Sequence, residues 1–341
     1  VLGEAEDCKN PTEVEMTQLV MPCHANHLGE LSTGQMLKWM DVTACLSAER
    51  HAGLLCVTAS MDDFQVEEAI KVGQAVYIKA QVNRAFNTSM EVGIDVRVED
   101  LSTGNQKLVC MAHSTFVARS LSGEKVQLQA LIPRTSEERL QHTLAAERRR
   151  MRLAHADTIL ELVHGCSFQD VCEVTLGPNV DYGKELVPAE RTRVHSVELV
   201  LPPHANHQGN TFGGQIMAWM EAVATISASR LCRAHATLRD IDMFQFRGPS
   251  QVGDRLTLKS IVNNAFRKSM EVGVCVEAYR QGDCSPASLR HINSAFMTFV
   301  VLDDNGAWVS VPTVHVSSED GERRYREAIA RKKIRLDRYE L

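Results

Sequence analysis

The sequence predicts an α+β fold built from two copies of one module, each a long central helix wrapped by an antiparallel sheet. Three observations carry that expectation. The chain matches itself when shifted by 180 residues (His24 onto His204), each copy holds one long segment of helical periodicity, and strand-like runs with alternating apolar residues follow it. At 341 residues the chain is also too long for one ordinary core.

The repeat is dense. His24-Ala25-Asn26-His27-x-Gly29 falls on His204-Ala205-Asn206-His207-x-Gly209, Gly34-Gln35 on Gly214-Gln215, Trp39-Met40-Asp41 on Trp219-Met220-Glu221, and Asp62 on Asp242. Phe64-Gln65 falls on Phe244-Gln245, and Val72-Gly73 on Val252-Gly253. Asn83-x-Ala85-Phe86-x-x-Ser89-Met90-Glu91-Val92-Gly93 falls on Asn263-x-Ala265-Phe266-x-x-Ser269-Met270-Glu271-Val272-Gly273, and the same shift lays Phe116 on Phe296. Two copies at so long a period read as paired domains, since solenoid units are shorter and more numerous.

Each copy opens with a short strand, Val14 to Val20 and Arg193 to Leu201, and then a loop rich in Pro, His, Asn and Gly. A helix follows at 32–51 and 213–234. In the first copy Met36, Trp39, Met40, Thr43, Ala44 and Ser47 recur at three and four residues, so that face must be buried. Small residues (Ala44, Ser47 and Ala48; Ala224, Ser227, Ala228 and Ser229) let a sheet approach closely. Strand-like runs come next at 55–61, 74–84, 89–99 and 106–119, with equivalents at 238–243, 255–264, 269–279 and 290–302. Val76, Ile78, Ala80 and Val82 alternate strictly, which sets one sheet face against the helix.

Between the copies, 137–163 reads helical and carries Glu147-Arg148-Arg149-Arg150-Met151-Arg152. The chain's end repeats this in Ala330-Arg331-Lys332-Lys333-Ile334-Arg335, now shifted by 183 (Arg148 onto Arg331). A solvated charged face and an anion-binding patch both fit, because Arg reaches phosphate through a planar fork. The domains are then 11–130, a basic helix and linker at 131–186 in which Cys166 to Lys184 is loose, 187–310, and a basic C-terminal helix at 311–341.

Lys and Arg number 37 against 43 Asp and Glu, and a net charge of −6 leaves no field to gather nucleic acid. Ten Cys without a CxxC pair read as reduced thiols rather than a disulfide framework. No run approaches the ~18 apolar residues of a membrane span, and Glu4, Glu6 and Asp7 fit no signal peptide. The chain opens on Val1 rather than Met, as a processed or partial chain would.

The run His204-Ala205-Asn206-His207-Gln208-Gly209-Asn210-Thr211-Phe212-Gly213-Gly214-Gln215 resembles the signature of the hot-dog fold acyl-coenzyme A thioesterases. The tandem arrangement resembles their double hot-dog branch, over nearly the whole chain. It is nearest to members in which a lipid-binding START domain follows the thioesterase pair, so the resemblance implies the catalytic portion of something longer. It also implies hydrolysis of fatty acyl-CoA to free fatty acid and coenzyme A, with no cofactor required beyond the coenzyme A of substrate and product. In this family a carboxylate on one central helix faces an Asn in the loop before the other. Only Asp41 with Asn210 carries that combination here; Glu30 with Glu221 lacks the amide donor, which implies one competent and one weak site per chain.

Thioester hydrolysis develops negative charge on the carbonyl oxygen, which an Asn amide and a backbone N–H at a helix start can stabilise. Gly213 and Gly214 let substrate approach the backbone, and the Gly214 N–H is the expected oxyanion donor. Asp41 would act as general base on water or attack the carbonyl itself to form an anhydride, and the residues do not choose between these. Thr43 and Gln215 are secondary candidates for orienting water or carboxylate. Asp41 also fits a mere edge of the buried face, and Asn210 a helix cap or turn.

For the nucleotide, the resemblance points to Ala59-Ser60-Met61, Thr88-Ser89-Met90, Arg150 and Arg247-Gly248-Pro249. Each has a plainer role: the serines satisfy local backbone, the methionines fill core gaps, and Gly248-Pro249 makes a turn. Arg247 stands where copy one has Glu67, an inversion of sign. His24, His27, His204 and His207 form a repeated HxxH, but no Cys or carboxylate completes a metal site, so loop histidines bonding the backbone are expected.

P-loop, HExxH and GxSxG motifs are missing. The remaining alternatives are a hot-dog hydratase or dehydratase and a non-catalytic acyl-CoA sensor. The expected assembly is a homo-oligomer, three double hot-dog chains around an axis, with acyl-CoA and coenzyme A as partners and no nucleic acid. A cytoplasmic location is expected, with the mitochondrial matrix open if the N-terminus is truncated.

Overall fold

The computed structural model describes residues 10–339 apart from 63, 67, 121, 166–185, 207, 281 and 283–287. The chain divides into two compact units, residues 1–148 with 212–218, and residues 149–211 with 219–341. The linker expected at Cys166 to Lys184 lies outside the described residues.

The first unit contains β1 (Val14–Leu19), α1 (Thr33–Ala52), β2 (Leu55–Met61), β3 (Phe64–Gln65), β4 (Ala75–Ala85), β5 (Ser89–Asp100), β6 (Asn105–Arg119) and the first part of α2 (Ser136–Gly165). Antiparallel pairing orders its sheet β1-β4-β5-β6-β2. The second unit repeats the plan with β7 (Leu186–Pro188), β8 (Val194–Leu199), most of α3 (Gly213–Cys232), β9 (Thr237–Ile241), β10 (Phe244–Phe246), β11 (Arg255–Phe266), β12 (Ser269–Tyr279), β13 (Arg290–Val300), β14 (Thr313–His315) and α4 (Glu319–Tyr339). Its sheet runs β8-β11-β12-β13, with β9 and β10 both on the far edge of β13. Strands β7 and β14 form a separate parallel pair. A long central helix with an antiparallel sheet in each copy is what the repeat and its periodicities anticipate.

Local chemistry explains the central helix. Ser32 caps α1, its Oγ accepting from the Gln35 N–H at 3.2 Å, and Gly53 ends it in the left-handed region at φ 64. Arg233, at the matching end of α3, holds φ 53, a conformation that costs a residue with a Cβ what it spares Gly53. Met36, Leu37, Met40, Ala44 and Ala48 of α1 are buried, as are Val76, Ile78, Ala80 and Val82 of β4. Burial of each Val, Leu or Ile contributes ~1.5–3 kcal/mol. The predicted alternation therefore marks the helix-facing side of the sheet. Two hydroxyls pin the helix in each copy: Ser47 Oγ donates to the Thr12 carbonyl at 2.8 Å and Ser227 Oγ to the Thr192 carbonyl at 2.7 Å.

Strand register corrects one equivalence. Met90 stands opposite Phe116 in the first unit, whereas Met270 stands opposite Phe299 in the second. Phe116 therefore corresponds to Phe299, not Phe296, and the shift has grown from 180 to 183. Three extra residues between β12 and β13 account for this, and the two strands keep the pairing of their counterparts in the first unit. The same 183 then carries Arg148 of α2 onto Arg331 of α4.

Those arginines are neither a solvated face nor an open anion patch. Arg148 donates to Glu91 Oε1 from Nε at 3.0 Å and Nη2 at 2.6 Å, and Arg331 Nη2 donates to Glu271 Oε1 at 2.7 Å. Asn83 and Asn263 Nδ2 add bonds to the same carboxylates at 3.3 and 3.2 Å. In the second unit Arg335 also reaches Asp242 at 2.5 Å, and the Arg331 guanidinium lies 3.5 Å from the Phe296 ring centroid. The repeated Asn, Glu and Arg positions thus fasten each terminal helix to its sheet. Burial alone would push the Glu271 carboxyl up, but Arg331, Arg335 and Asn263 hold it below the usual range.

Among the described residues Cys23, Cys45, Cys56, Cys110, Cys232 and Cys275 are free thiols. No described helix is long and apolar enough to cross a membrane.

Candidate active site

The loop before each central helix is built on one Asn. Asn26 Oδ1 accepts from the N–H groups of Leu28 and Glu30 at 2.9 and 3.1 Å, and Asn206 Oδ1 from those of Gln208 and Asn210 at 3.0 and 3.1 Å. Equivalent scaffolds thus present Glu30 in one copy and Asn210 in the other. Asn210 Nδ2 donates to Gln208 Oε1 at 3.2 Å, within the second unit.

The paired histidines brace these loops. His24 Nδ1 accepts from the Met21 N–H and His204 Nδ1 from the Leu201 N–H, both at 3.2 Å. Their rings meet Trp39 and Trp219 edge-on, at 5.0 and 4.9 Å between centroids. No cluster able to hold a metal ion occurs among the described residues, from which His207 is excluded.

Asp41 is the chemically unusual group. It lies on the buried face of α1 at 1% exposure, and both oxygens are held: Thr58 Oγ1 donates to Oδ1 at 2.7 Å and the Gly214 N–H to Oδ2 at 2.8 Å. Burial raises its pKa above the usual carboxylate range, and the bonds from Gly214 and Thr58 pull the other way. The first unit thus brings Asp41 and Gly214 together, since residues 212–218 belong to it. At the equivalent position Glu221 is also pushed up by burial and takes one bond, from Thr225 Oγ1 at 2.9 Å.

Thr58 is the residue sequence reasoning missed. Its signal was present, because the shift of 180 sets Thr58 against Leu238, an asymmetry that tracks Asp41 against Glu221. Thr43 does not orient the carboxylate: its Oγ1 donates to the Trp39 carbonyl at 2.7 Å, one turn back along its own helix. The side chain of Gln215 makes no hydrogen bond with Asp41.

Gly214 is required by space as well as by its N–H. A Cβ there would stand 2.8 Å from Lys38 Cα, 2.9 Å from Asp41 Cβ and 3.0 Å from the Leu37 carbonyl oxygen. These neighbours cannot swing aside. Gly214→Ala should therefore lower stability by ~1–3 kcal/mol through overpacking, read as a lower melting temperature; an unchanged melting curve would contradict this close crossing.

The residues expected around the nucleotide are scattered over both units. Ser60 on β2 stands opposite Thr115, Ser89 on β5 opposite Val117, and both serines are nearly closed off, with Ala59 and Thr88 beside them half-buried. Met61 and Met90 are fully buried, so their side chains fill the core and only their backbones remain for a ligand. Arg150 lies exposed on α2 in the second unit. Arg247 is exposed there too, donating from Nη2 to Gln245 Oε1 at 3.0 Å, and the Pro249 carbonyl after Gly248 accepts from Arg290 at 2.8 Å. Glu67, its sign-inverted counterpart, lies outside the described residues.

Comparison with known proteins gives the same picture twice over. The thioesterase superfamily model matches residues 28–104 and 208–285. Mouse acyl-coenzyme A thioesterase 11 is 65% identical over 341 residues, covering 99% of this chain and 55% of that protein. The uncharacterized acyl-CoA thioester hydrolase YkhA of Bacillus subtilis is 32% identical over 159 residues, covering 46% of this chain and 92% of that protein. A solved structure from Lactobacillus plantarum, assigned as an oleoyl thioesterase, shares the fold with a TM-score of 0.53 at 8% identity, covering 86% of this chain and 98% of that one. The chain spans about half the length of its mouse relative. With both modules matched and a single-module relative covered almost end to end, the chain belongs to the thioesterase superfamily.

Proposed function

We propose that the chain hydrolyses fatty acyl-CoA to free fatty acid and coenzyme A, with Asp41 as general base or nucleophile. The observation that supports this is the Asp41 carboxylate, desolvated, gripped at both oxygens, and raised in pKa by its burial. In the general-base route water attacks the carbonyl carbon, Asp41 takes the water's proton, and coenzyme A leaves as a thiol after receiving a proton. The mouse and Bacillus relatives carry acyl-CoA thioesterase and hydrolase names, which agrees with this reading.

Asn210 supplies an amide N–H for the developing oxyanion. The Gly214 N–H holds Asp41 in the resting site, so it serves the oxyanion only as the carboxylate takes up a proton or forms a bond. The nucleotide is assigned to Ala59-Ser60-Met61, Thr88-Ser89-Met90, Arg150 and Arg247-Gly248-Pro249.

Thr58→Val should test the carboxylate directly. The Thr58 bond lowers the Asp41 pKa, so its loss should move the acid limb of kcat/KM to higher pH and reduce kcat by about tenfold, the worth of a hydrogen bond to a charged group. An unshifted acid limb would place the titrating base elsewhere.

The reaction itself is tested by steady-state rates across acyl lengths from acetyl to palmitoyl, following release of the coenzyme A thiol. Turnover of any member supports the reading and reports chain preference. Binding without turnover would instead favour an acyl-CoA sensor, and water addition to an enoyl-CoA a hydratase. β1 and β8 each end their unit's sheet, and edges of that kind are commonly covered; with this we propose an assembly of three chains, checked by light scattering, and a cytoplasmic location.

A further inference from the structure

The outward side of the second unit's sheet carries a cavity of about 350 Å³ at the end of β8, lined among others by Leu199, Leu201, Val252 and Arg255. That size falls within the ~300–1,000 Å³ of small-ligand sites. The three apolar side chains are 51%, 45% and 40% exposed, an open apolar patch of the kind that marks a binding surface. Strand register places the charge beside them. Leu199 stands directly opposite Arg255 of β11, and Arg255 opposite Tyr279 of β12, so the three side chains share one face of the sheet. The Arg255 guanidinium lies over the Tyr279 ring, 5.6 Å from its centroid.

The repeat separates the two halves of this surface. Copy one keeps the apolar half, since Leu19, Met21 and Val72 at the equivalent positions are exposed as well. It lacks the cation: there Leu19 stands opposite Ala75, and Ala75 opposite Glu99. An Ala and Glu pair has thus become an Arg and Tyr pair, and the charge beside the leucine has changed sign. No Asp or Glu lines the cavity among the described residues. The carboxylate next in sequence, Asp254, is held by Arg290 at 2.6 Å and the Gln251 N–H at 3.0 Å. An inorganic anion would make no use of the leucines, and a neutral lipid none of the guanidinium, whose planar fork matches a carboxylate. These side chains stand out of the sheet plane, so a neighbour paired along the main-chain edge of β8 leaves them open.

We infer that this cavity binds a fatty carboxylate, its chain on Leu199, Leu201 and Val252 and its head group on Arg255. None of these residues holds Asp41. Identifying the ligand as the reaction's product rests on the thioesterase reading proposed above; the binding does not.

Calorimetry with dodecanoate, acetate and dodecyltrimethylammonium compares the unaltered chain with Arg255→Ala, Arg255→Lys and Leu201→Ser. Dodecanoate alone should bind this site. Loss of a charge-assisted hydrogen bond predicts about tenfold to a hundredfold weaker dodecanoate binding in Arg255→Ala, partly restored in Arg255→Lys. Loss of apolar contact predicts about tenfold weaker binding in Leu201→Ser. Melting temperatures, and kcat and KM with an acyl-CoA, should stay unchanged. Dodecanoate binding that is unaltered in both Arg255→Ala and Leu201→Ser overturns the inference, as does equal binding of the cationic amphiphile. So does an assembly that Leu201→Ser dissociates without any dodecanoate bound by the unaltered chain, which would make the face a contact between copies. Dodecanoate binding without acyl-CoA turnover sinks the thioesterase reading and leaves this site standing; turnover without a dodecanoate site sensitive to Arg255 does the reverse.

Discussion

Asp41→Asn is expected to lower kcat/KM by about two to four orders of magnitude, the range that general acid–base catalysis supplies, while raising the melting temperature. The two effects have one cause. Asn matches Asp in size, and its oxygen can accept from the Gly214 N–H while its NH2 donates to the Thr58 hydroxyl, which accepts as readily as it donates. The site keeps its shape and loses its base.

The stability sign follows from linkage. Burial raises the folded-state pKa of Asp41 above its unfolded value, so the folded state binds the proton more tightly, and the ionised group destabilises the fold at pH above that range. Asn removes that cost at neutral pH. A buried carboxylate retained at the expense of stability is the expected signature of a functional group. A variant that melts lower and retains turnover would instead make Asp41 a structural residue. Asn210→Ala, measured beside it, should lower kcat with little change in stability, because its side chain bonds only Gln208 among the described residues.

The largest stability effect is expected at the opposite face of the second unit's sheet. Arg331→Met should destabilise by ~3–5 kcal/mol, since it strands a buried carboxylate. Glu271 is fully buried and the Arg331 side chain is 2% exposed, so water cannot replace the lost partner. Arg335 at 3.3 Å and Asn263 keep the loss toward the lower end. Arg148→Met in the first unit should cost less, because that side chain is 21% exposed. Pairing Arg331→Met with Glu271→Gln should recover much of the loss, as the stranded charge is then gone. Chemical denaturation of the four proteins measures this, and equal losses for Arg148→Met and Arg331→Met would show that burial does not set the cost. The pH dependence adds a check. Glu271 has a depressed folded pKa, so its stabilisation is present above the unfolded value and lost as pH falls through the folded one.

Much of this molecule is legible in its sequence. Periodicity placed α1 and the inward residues of β4, because helix and strand spacing follow from backbone geometry alone. The self-match exposed the duplication, and within it the few differing pairs, Asp41 with Glu221 and Glu30 with Asn210, marked the positions from which the proposed site is built. The backbone-bonding role of His24 and His204 was readable too, since metal sites need more ligands than the HxxH spacing offered.

Other features escaped for a physical reason. The basic runs around Arg148 and Arg331 look solvated in sequence, because nothing local shows that Glu91 and Glu271 wait on strands 57 and 60 residues back along the chain. Thr43 sits closer to Asp41 in sequence than Thr58 does, yet its hydroxyl bonds its own helix while the strand residue reaches the carboxylate. A shift of three residues moved Phe116 onto Phe299, which only strand pairing reveals.

By itself the sequence determined that there are two modules, which faces of their elements are apolar, and which carboxylate is set apart by the repeat. Only the tertiary structure decided that Asp41 is closed off from water, that Thr58 and Gly214 grip it, and that two helices are fastened by arginines paired with buried glutamates. Propensity and periodicity are properties of neighbours along the chain, whereas burial, and with it pKa and the value of an ion pair, is set by residues that folding brings from elsewhere.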